Sequence, residues 1–435
     1  MRKTILALAA AAALSTFPAA GWAATPKPAA PKTVMGATDS FHIDKARIDG
    51  ALKEMVASGR AVGVSALVWQ DGQERYFGTS GFADRETKRP MARDTMVQVF
   101  SMTKPVTGVA LMQLWEQGKF GLDDPLANYL PEYADVKVLG PPDASGQPTL
   151  RPPARPITVR DILRHTAGFS YGMRPTAADA AFKAADPMNL GNDLAEFSRR
   201  NAKVPLLFDP GTQWNYSVGV DVQAALVEKL SGQPFEAYVR QHVLDPLKMT
   251  SSGWTQPEAR FPRMSARYAK GKDGKLAREP DAAARALNFD PARKLTMGGA
   301  GLAGPIDDYM RFARMLLNGG SLDGVRILKP STVKLMSTDQ LDARVKDRFF
   351  LPTKGQVGFG FDFAVRTAQP ASPTENRGAV GEFFWDGAAT TLFWVDPANK
   401  LTAVFFVQTL PFDPTLHHDI RAAVYGPTYL GPKGD

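Results

Sequence analysis

The chain of 435 residues has no cysteine. That excludes thiol nucleophiles, thiolate metal sites and iron–sulfur clusters, and it leaves an exported form to stand on its core without disulfides. Histidine is nearly as scarce, with five residues. His42, His242, His417 and His418 have no ligand-like spacing with acidic partners, so no metal is implied and no organic cofactor either. Past the N-terminal segment no run is apolar enough to span a membrane. The basic residues, such as Arg151, Arg155, Arg160 and Arg164 or Arg260, Arg263 and Arg267, are scattered and do not form a stripe with aromatics. A nucleic-acid role therefore has no support. There is no internal repeat.

What is present begins at the N-terminus. Met1-Arg2-Lys3 precedes an unbroken apolar run over residues 5–14, and small residues follow up to Ala23-Ala24. A positive start, a ten-residue apolar stretch too short for a bilayer and a small-x-small site describe a secretory signal peptide over 1–23, cut after Ala23. The expectation is a periplasmic or secreted protein. The net charge of +8 falls by two once Arg2 and Lys3 leave. Residues 24–40, rich in Pro, Ala and Lys, read as a flexible tether.

Periodicity then sketches the architecture. Residues 43–56 have helical spacing, and residues 62–69 and 74–82 read as strands around Gln70-Asp71-Gly72-Gln73, an Asp-Gly hairpin. Between 95 and 289 the pattern is mostly helical, with helices expected over 126–130, 158–165, 194–199, 220–230 and 235–244. Residues 134–156, dense in Pro and Gly, read as a surface excursion. Strands return at 358–365, 379–385, 390–395 and 401–408, and a helix over 415–424 closes the chain. One sheet built from both chain ends around a helical insertion is an α+β arrangement. The expected division is a sheet domain over 41–94 and 290–428, a helical domain over 95–289 and a tail over 429–435.

The most informative residues are Ser101-Met102-Thr103-Lys104. They follow an apolar run (Met96, Val97, Val99, Phe100) and open an apolar helix. A serine at the first turn with a lysine three residues on puts hydroxyl and amine on one helix face, a geometry that activates serine without histidine. Ser331-Thr332-Val333-Lys334 repeats the pattern, but after Pro330 it reads as a half-exposed helix start with Ser331 or a neighbour as cap. Gly168-Phe169-Ser170-Tyr171-Gly172 matches the nucleophile-elbow pattern, which Asp413 with His417 or His418 would complete. It lacks the strand before and the helix after that an elbow requires, so Ser170 reads as a loop serine. His165 is expected to bond within its loop, and His417-His418 to be an exposed pair at a helix start.

Further on, Phe208-Asp209-Pro210-Gly211 leads to Tyr216 on a tight loop, and an apolar helix follows, closed by Gly232. With Ser101 and Lys104, this order resembles the β-lactamase-related serine hydrolases: class C β-lactamases, D,D-peptidases and, most nearly, family VIII carboxylesterases. The resemblance covers roughly residues 42–425. It is supported by the stretches 118–125 and 157–168 and by Asp307-Asp308-Tyr309. It implies a β-lactamase/transpeptidase-like fold, with Ser101 as nucleophile and Lys104 and Tyr216 as base. Where penicillin-recognising relatives carry Lys-Thr-Gly on a strand, and family VIII esterases Trp-Gly-Gly, this chain has Trp385-Asp386-Gly387, expected to bind substrate. The oxyanion hole would then be the amides of Ser101 and Ala388.

Two departures bear on substrate. The tyrosine loop usually carries Asn two residues on, where this chain has Val218. The strand motif lacks the lysine and threonine that hold a substrate carboxylate. Such a pocket should discriminate poorly for β-lactams and accept neutral acyl groups. Phe383, Phe384 and Trp385 stand either to line it or to sit in the core. Asp386 is expected to point away as a surface charge, the alternative being that it disfavours anionic substrates. The expected activity is hydrolysis of small carboxylic esters through a Ser101 acyl-enzyme. A β-lactamase or D,D-peptidase and a non-catalytic binder of envelope fragments are the rival readings.

Overall fold

The computed structural model describes residues 40–372 and 374–432. The signal peptide expected over 1–23 and nearly all of the tether lie outside the described residues. The hairpin forms as the sequence dictates. Strands β1 (Gly63–Gln70) and β2 (Gln73–Asp84) pair antiparallel, Gln70 facing Gln73. Asp71 and Gly72 supply the two left-handed residues, φ 51° and 77°, that a two-residue turn of this hand needs. Beyond them come β3 (Arg89–Pro90), β4 (Val357–Phe359), β5 (Ala364–Arg366), β6 (Phe383–Asp386), β7 (Leu392–Asp396) and β8 (Leu401–Val407). These eight strands form one antiparallel sheet in the order β4-β5-β6-β7-β8-β1-β2-β3. The N-terminal hairpin is thus spliced onto the last strand, with Val64 opposite Val407.

Helices cover both faces of this sheet, which is why β7 and β8 read as continuous apolar runs and not as alternating ones. Phe393 and Trp394 are consecutive on β7 and so point to opposite faces. Phe393 meets Tyr309 of one helix (Ile306–Leu317) at 5.0 Å. The Trp394 indole N–H donates to Tyr425 of the C-terminal helix (Pro414–Tyr425) at 3.0 Å. On that second face lies a fully buried ion cluster, in which Glu382 meets Arg421 at 2.7 Å and Arg366 at 3.5 Å.

Between the two sheet-forming segments the chain is mostly helical. We name α1 (Thr103–Glu116), α2 (Val159–Leu163) and α3 (Gly219–Ser231); α1 and α2 each pack on α3. α2 is fixed by a capping box, Thr158 and Asp161 each accepting from the other's backbone amide. Residues 134–156 do form an excursion, a strand pair Val138–Pro142 and Pro148–Arg151 anchored by buried Val138 and exposed from Pro141 on. No helix among the described residues is long and apolar enough to cross a membrane.

Several expectations need correction. The single strand expected over 358–365 is a hairpin, β4 and β5, turned at residues 360–363 with Asp362 at φ 62°. The helix expected over 126–130 is one 3₁₀ turn, Leu126–Asn128. Tyr429, assigned to a tail, is fully buried and stacked on Tyr425 at 5.0 Å. Its neighbourhood offered no periodicity by which to foresee that.

Candidate functional site

Ser101 lies in a 3₁₀ turn, Phe100–Met102, that runs straight into α1. The turn is held from behind by the Tyr309 hydroxyl, which donates to the Met102 carbonyl at 2.7 Å. Phe100 takes a left-handed backbone, φ 47°, a conformation costly for an aromatic and one found where surrounding structure over-determines it. α1 is buried on almost every side from Thr103 to Met112, so its apolar composition has no polar face to spare.

Lys104 is 1% exposed. Its Nζ donates to Ser101 Oγ at 3.2 Å and to the Gly299 carbonyl at 2.8 Å. Burial drives its pKa down to about 8, and the acidic groups of Asp221, Asp362 and Asp386 oppose the drop. A Cβ at position 299 would lie 3.1 Å from Nζ and 2.8 Å from Asp221 Oδ2, so glycine is what lets backbone, amine and carboxyl converge. Asp221, in the first turn of α3, accepts from the Gly299 amide at 3.0 Å. Desolvation raises the pKa values of both Asp221 and Asp362.

Tyr216 closes the site from the loop before α3. Its ring lies under the Lys104 ammonium at 4.6 Å, stacks on Tyr171 at 5.6 Å and meets Phe350 at 5.3 Å and Trp385 at 5.4 Å. Its hydroxyl and the Trp385 indole N–H make no hydrogen bond of good geometry. Burial holds the phenol well above its ordinary pKa, with Ser101 and Trp385 close enough to counter this in part. Tyr216 is therefore a neutral phenol across the ordinary pH range. Serine hydroxyl, lysine amine and tyrosine ring, from segments more than a hundred residues apart in sequence, do meet at one place.

The end of β6 packs on the serine turn. At Gly387 any Cβ would press into the Val99 carbonyl and the Thr391 side chain, so the approach requires glycine. Ala388 follows, half-buried, its amide without an acceptor among the described residues. Asp386 does not point to solvent as expected. It is 6% exposed and ion-paired to Lys354, itself 8% exposed. Phe383, Phe384 and Trp385 are all buried, and of these Trp385 reaches the site. Val218 begins α3, fully buried.

The other sequence candidates lie elsewhere. Ser170 is buried and donates to Asp179 at 2.7 Å, a structural bond. Ser331 is exposed and caps nothing; the helix Pro330–Met336 begins after Lys329, with no side-chain cap. Asp413 caps the C-terminal helix. His417 is 3% exposed, not surface-borne, and its Nε2–H donates to the Thr390 carbonyl at 2.9 Å. His165 Nδ1 lies 3.3 Å from Ser217 Oγ, and burial keeps the ring neutral. Sequence reasoning missed Asp221, Gly299, Tyr171 and Lys354. Only Asp221 gave a signal, as an acid in the first turn of an apolar helix.

Comparison with known proteins shows the family and the fold. The beta-lactamase family model matches residues 48–425. Esterase EstB of Burkholderia gladioli is 31% identical over 393 residues, covering 85% of this chain and 93% of that protein. Protein Rv1367c of Mycobacterium tuberculosis is 33% identical over 380 residues, covering 86% and 92%. Among solved structures, EstCE1, described as a hydrolase with promiscuous acyltransferase activity, superposes with a TM-score of 0.73 at 27% identity, covering 88% of this chain and 98% of that one.

Proposed function

The chain belongs to the beta-lactamase family and is a serine hydrolase of that fold; from that premise we propose that it is an exported carboxylesterase working through a Ser101 acyl-enzyme. The observation that carries this reading is the buried Lys104 amine, 3.2 Å from Ser101 Oγ and lowered by burial to a pKa of about 8.

Neutral Lys104 takes the Ser101 proton as Oγ attacks the ester carbonyl. The oxyanion forms between the amides of Ser101 and Ala388. Collapse expels the alkoxide, which takes a proton from the Tyr216 phenol, and Tyr216 is reprotonated from the Lys104 ammonium. Water, losing its proton to Lys104, then cleaves the acyl-enzyme and Ser101 recovers its hydrogen. Tyr216 serves as a relay; its raised pKa argues against a standing phenolate.

Trp385, Asp386 and Gly387 would border the acyl group. Neutral esters are the substrate class, because Lys354, the cation beside Trp385, is already paired with Asp386. A fluorophosphonate probe should label Ser101. A rate panel of short and long nitrophenyl esters, nitrocefin and a D-Ala-D-Ala peptide should favour the esters; fast nitrocefin turnover with slow esters would move the assignment to a β-lactamase. N-terminal sequencing of the mature protein should begin at Ala24.

A further inference from the structure

Asp386 and Lys354 form a buried pair to which the mechanism above gives no step. Lys354 ends a 3₁₀ turn, Leu351–Lys354, and reaches 32 positions along the chain to Asp386 at the end of β6. Its ammonium is enclosed by rings, with Phe412 at 4.4 Å, Trp385 at 5.4 Å and Phe350 at 5.7 Å to the centroids. Trp385 and Phe350 both touch Tyr216, so this cage shares two walls with the site. Lys104 and Tyr216 also feel the Asp386 charge, and His417 Nδ1 lies 4.0 Å from Asp386 Oδ2. Burial lowers the His417 pKa to about 4, so it adds no charge at neutral pH.

A buried ammonium beside Trp385 can receive a carboxylate through a charge-assisted hydrogen bond. Here the protein has filled that place from within. We propose that Asp386 is a built-in carboxylate that occupies Lys354, so that the cleft takes uncharged acyl donors and turns away those carrying a carboxylate. Replacing it uncovers an anion subsite. The inference rests on the esterase reading and names the substrate class of that site. It also makes Asp386 the opposite of a bystander: the charge that sets selectivity is the one that hides another charge.

The test compares 4-nitrophenyl adipate, which bears one carboxylate, with 4-nitrophenyl hexanoate of equal chain length. In Asp386→Asn the ratio of kcat/KM for the anionic over the neutral ester should rise at least tenfold. In the double variant Lys354→Met with Asp386→Asn the ratio should fall back toward the parent value. A ratio within twofold of the parent in folded Asp386→Asn, or an equal rise in the double variant, overturns the proposal. If the parent turned over neither ester while Ser101 still reacted with a fluorophosphonate, the esterase reading would fail instead.

Because the single variant leaves a buried ammonium unpaired, a second measurement does not depend on its activity. Asp386→Gly should be stabilised against heat by sodium acetate relative to sodium chloride, as acetate takes the vacated place. The parent and the Lys354→Met, Asp386→Gly double variant should show no such rise. Equal acetate effects in all three would sink the idea.

Discussion

Removing a buried acid should make this enzyme faster at neutral pH. Lys104 titrates at about 8 because burial disfavours its ammonium while Asp221, first among the opposing groups, supports it. Asp221→Asn deletes that support, yet its side-chain oxygen can still accept from the Gly299 amide, so the local backbone has no reason to move. A neighbouring carboxylate is worth roughly one to three pKa units to a buried cation. Asp362 and Asp386 remain to support the ammonium, so the low end applies: about one unit, or ~1.4 kcal/mol. The sign follows directly. At pH 7 a lysine titrating at about 8 is neutral in about a tenth of molecules, and one titrating at about 7 in about half. The kcat/KM for a neutral nitrophenyl ester should therefore rise about fivefold at pH 7 and change little above about pH 9, the acid limb sliding down by about one unit. The assay is a kcat/KM–pH profile of parent and variant between pH 5 and 10. An acid limb that stays put or moves upward would refute Lys104 as the titrating base.

Other perturbations separate the parts. Ser101→Ala should abolish turnover of a short-chain nitrophenyl ester in a protein that melts like the parent, measured by steady-state rates and calorimetry. Ser170→Ala should do the reverse, losing the bond to Asp179 and about 1–3 kcal/mol of stability in denaturant titrations while kcat stays within a few-fold. Gly387→Ala should cut kcat about a hundredfold, because pushing β6 off the Val99 carbonyl displaces the Ala388 amide, and KM should move far less. Glu382→Gln strands the buried Arg421 and Arg366 and should cost about 3–5 kcal/mol in urea midpoints, the kcat of the folded fraction being kept.

How much of this was legible follows from what sequence pattern encodes. The Asp71-Gly72 turn and the serine-lysine spacing are local, so the residues themselves declare them. Tyr216 became readable only through its Pro-Gly approach and the helix closed by Gly232. The Asp386–Lys354 pair was not readable, since Lys354 ends an irregular turn whose neighbours carry no period, and a lone acid on a strand is usually a solvated charge. Asp386 was misjudged for that reason. His417 was misjudged because the helix that carries it is buried on the side a doublet of histidines conceals. Residues 358–365 looked like one strand because both arms of a tight hairpin are apolar; Gly360 and Asp362 were the clue to the break.

The pairing of Val64 with Val407 has a consequence for the order of events in synthesis. A ribosome that has made the serine turn, the lysine and the tyrosine loop has still not made Gly387 and Ala388, nor the strand on which the first hairpin must dock. On the proposed mechanism, a chain that stops short of Gly387 should not turn over an ester. On that reading hydrolytic competence arrives only with the residues from 387 onward, at a stroke.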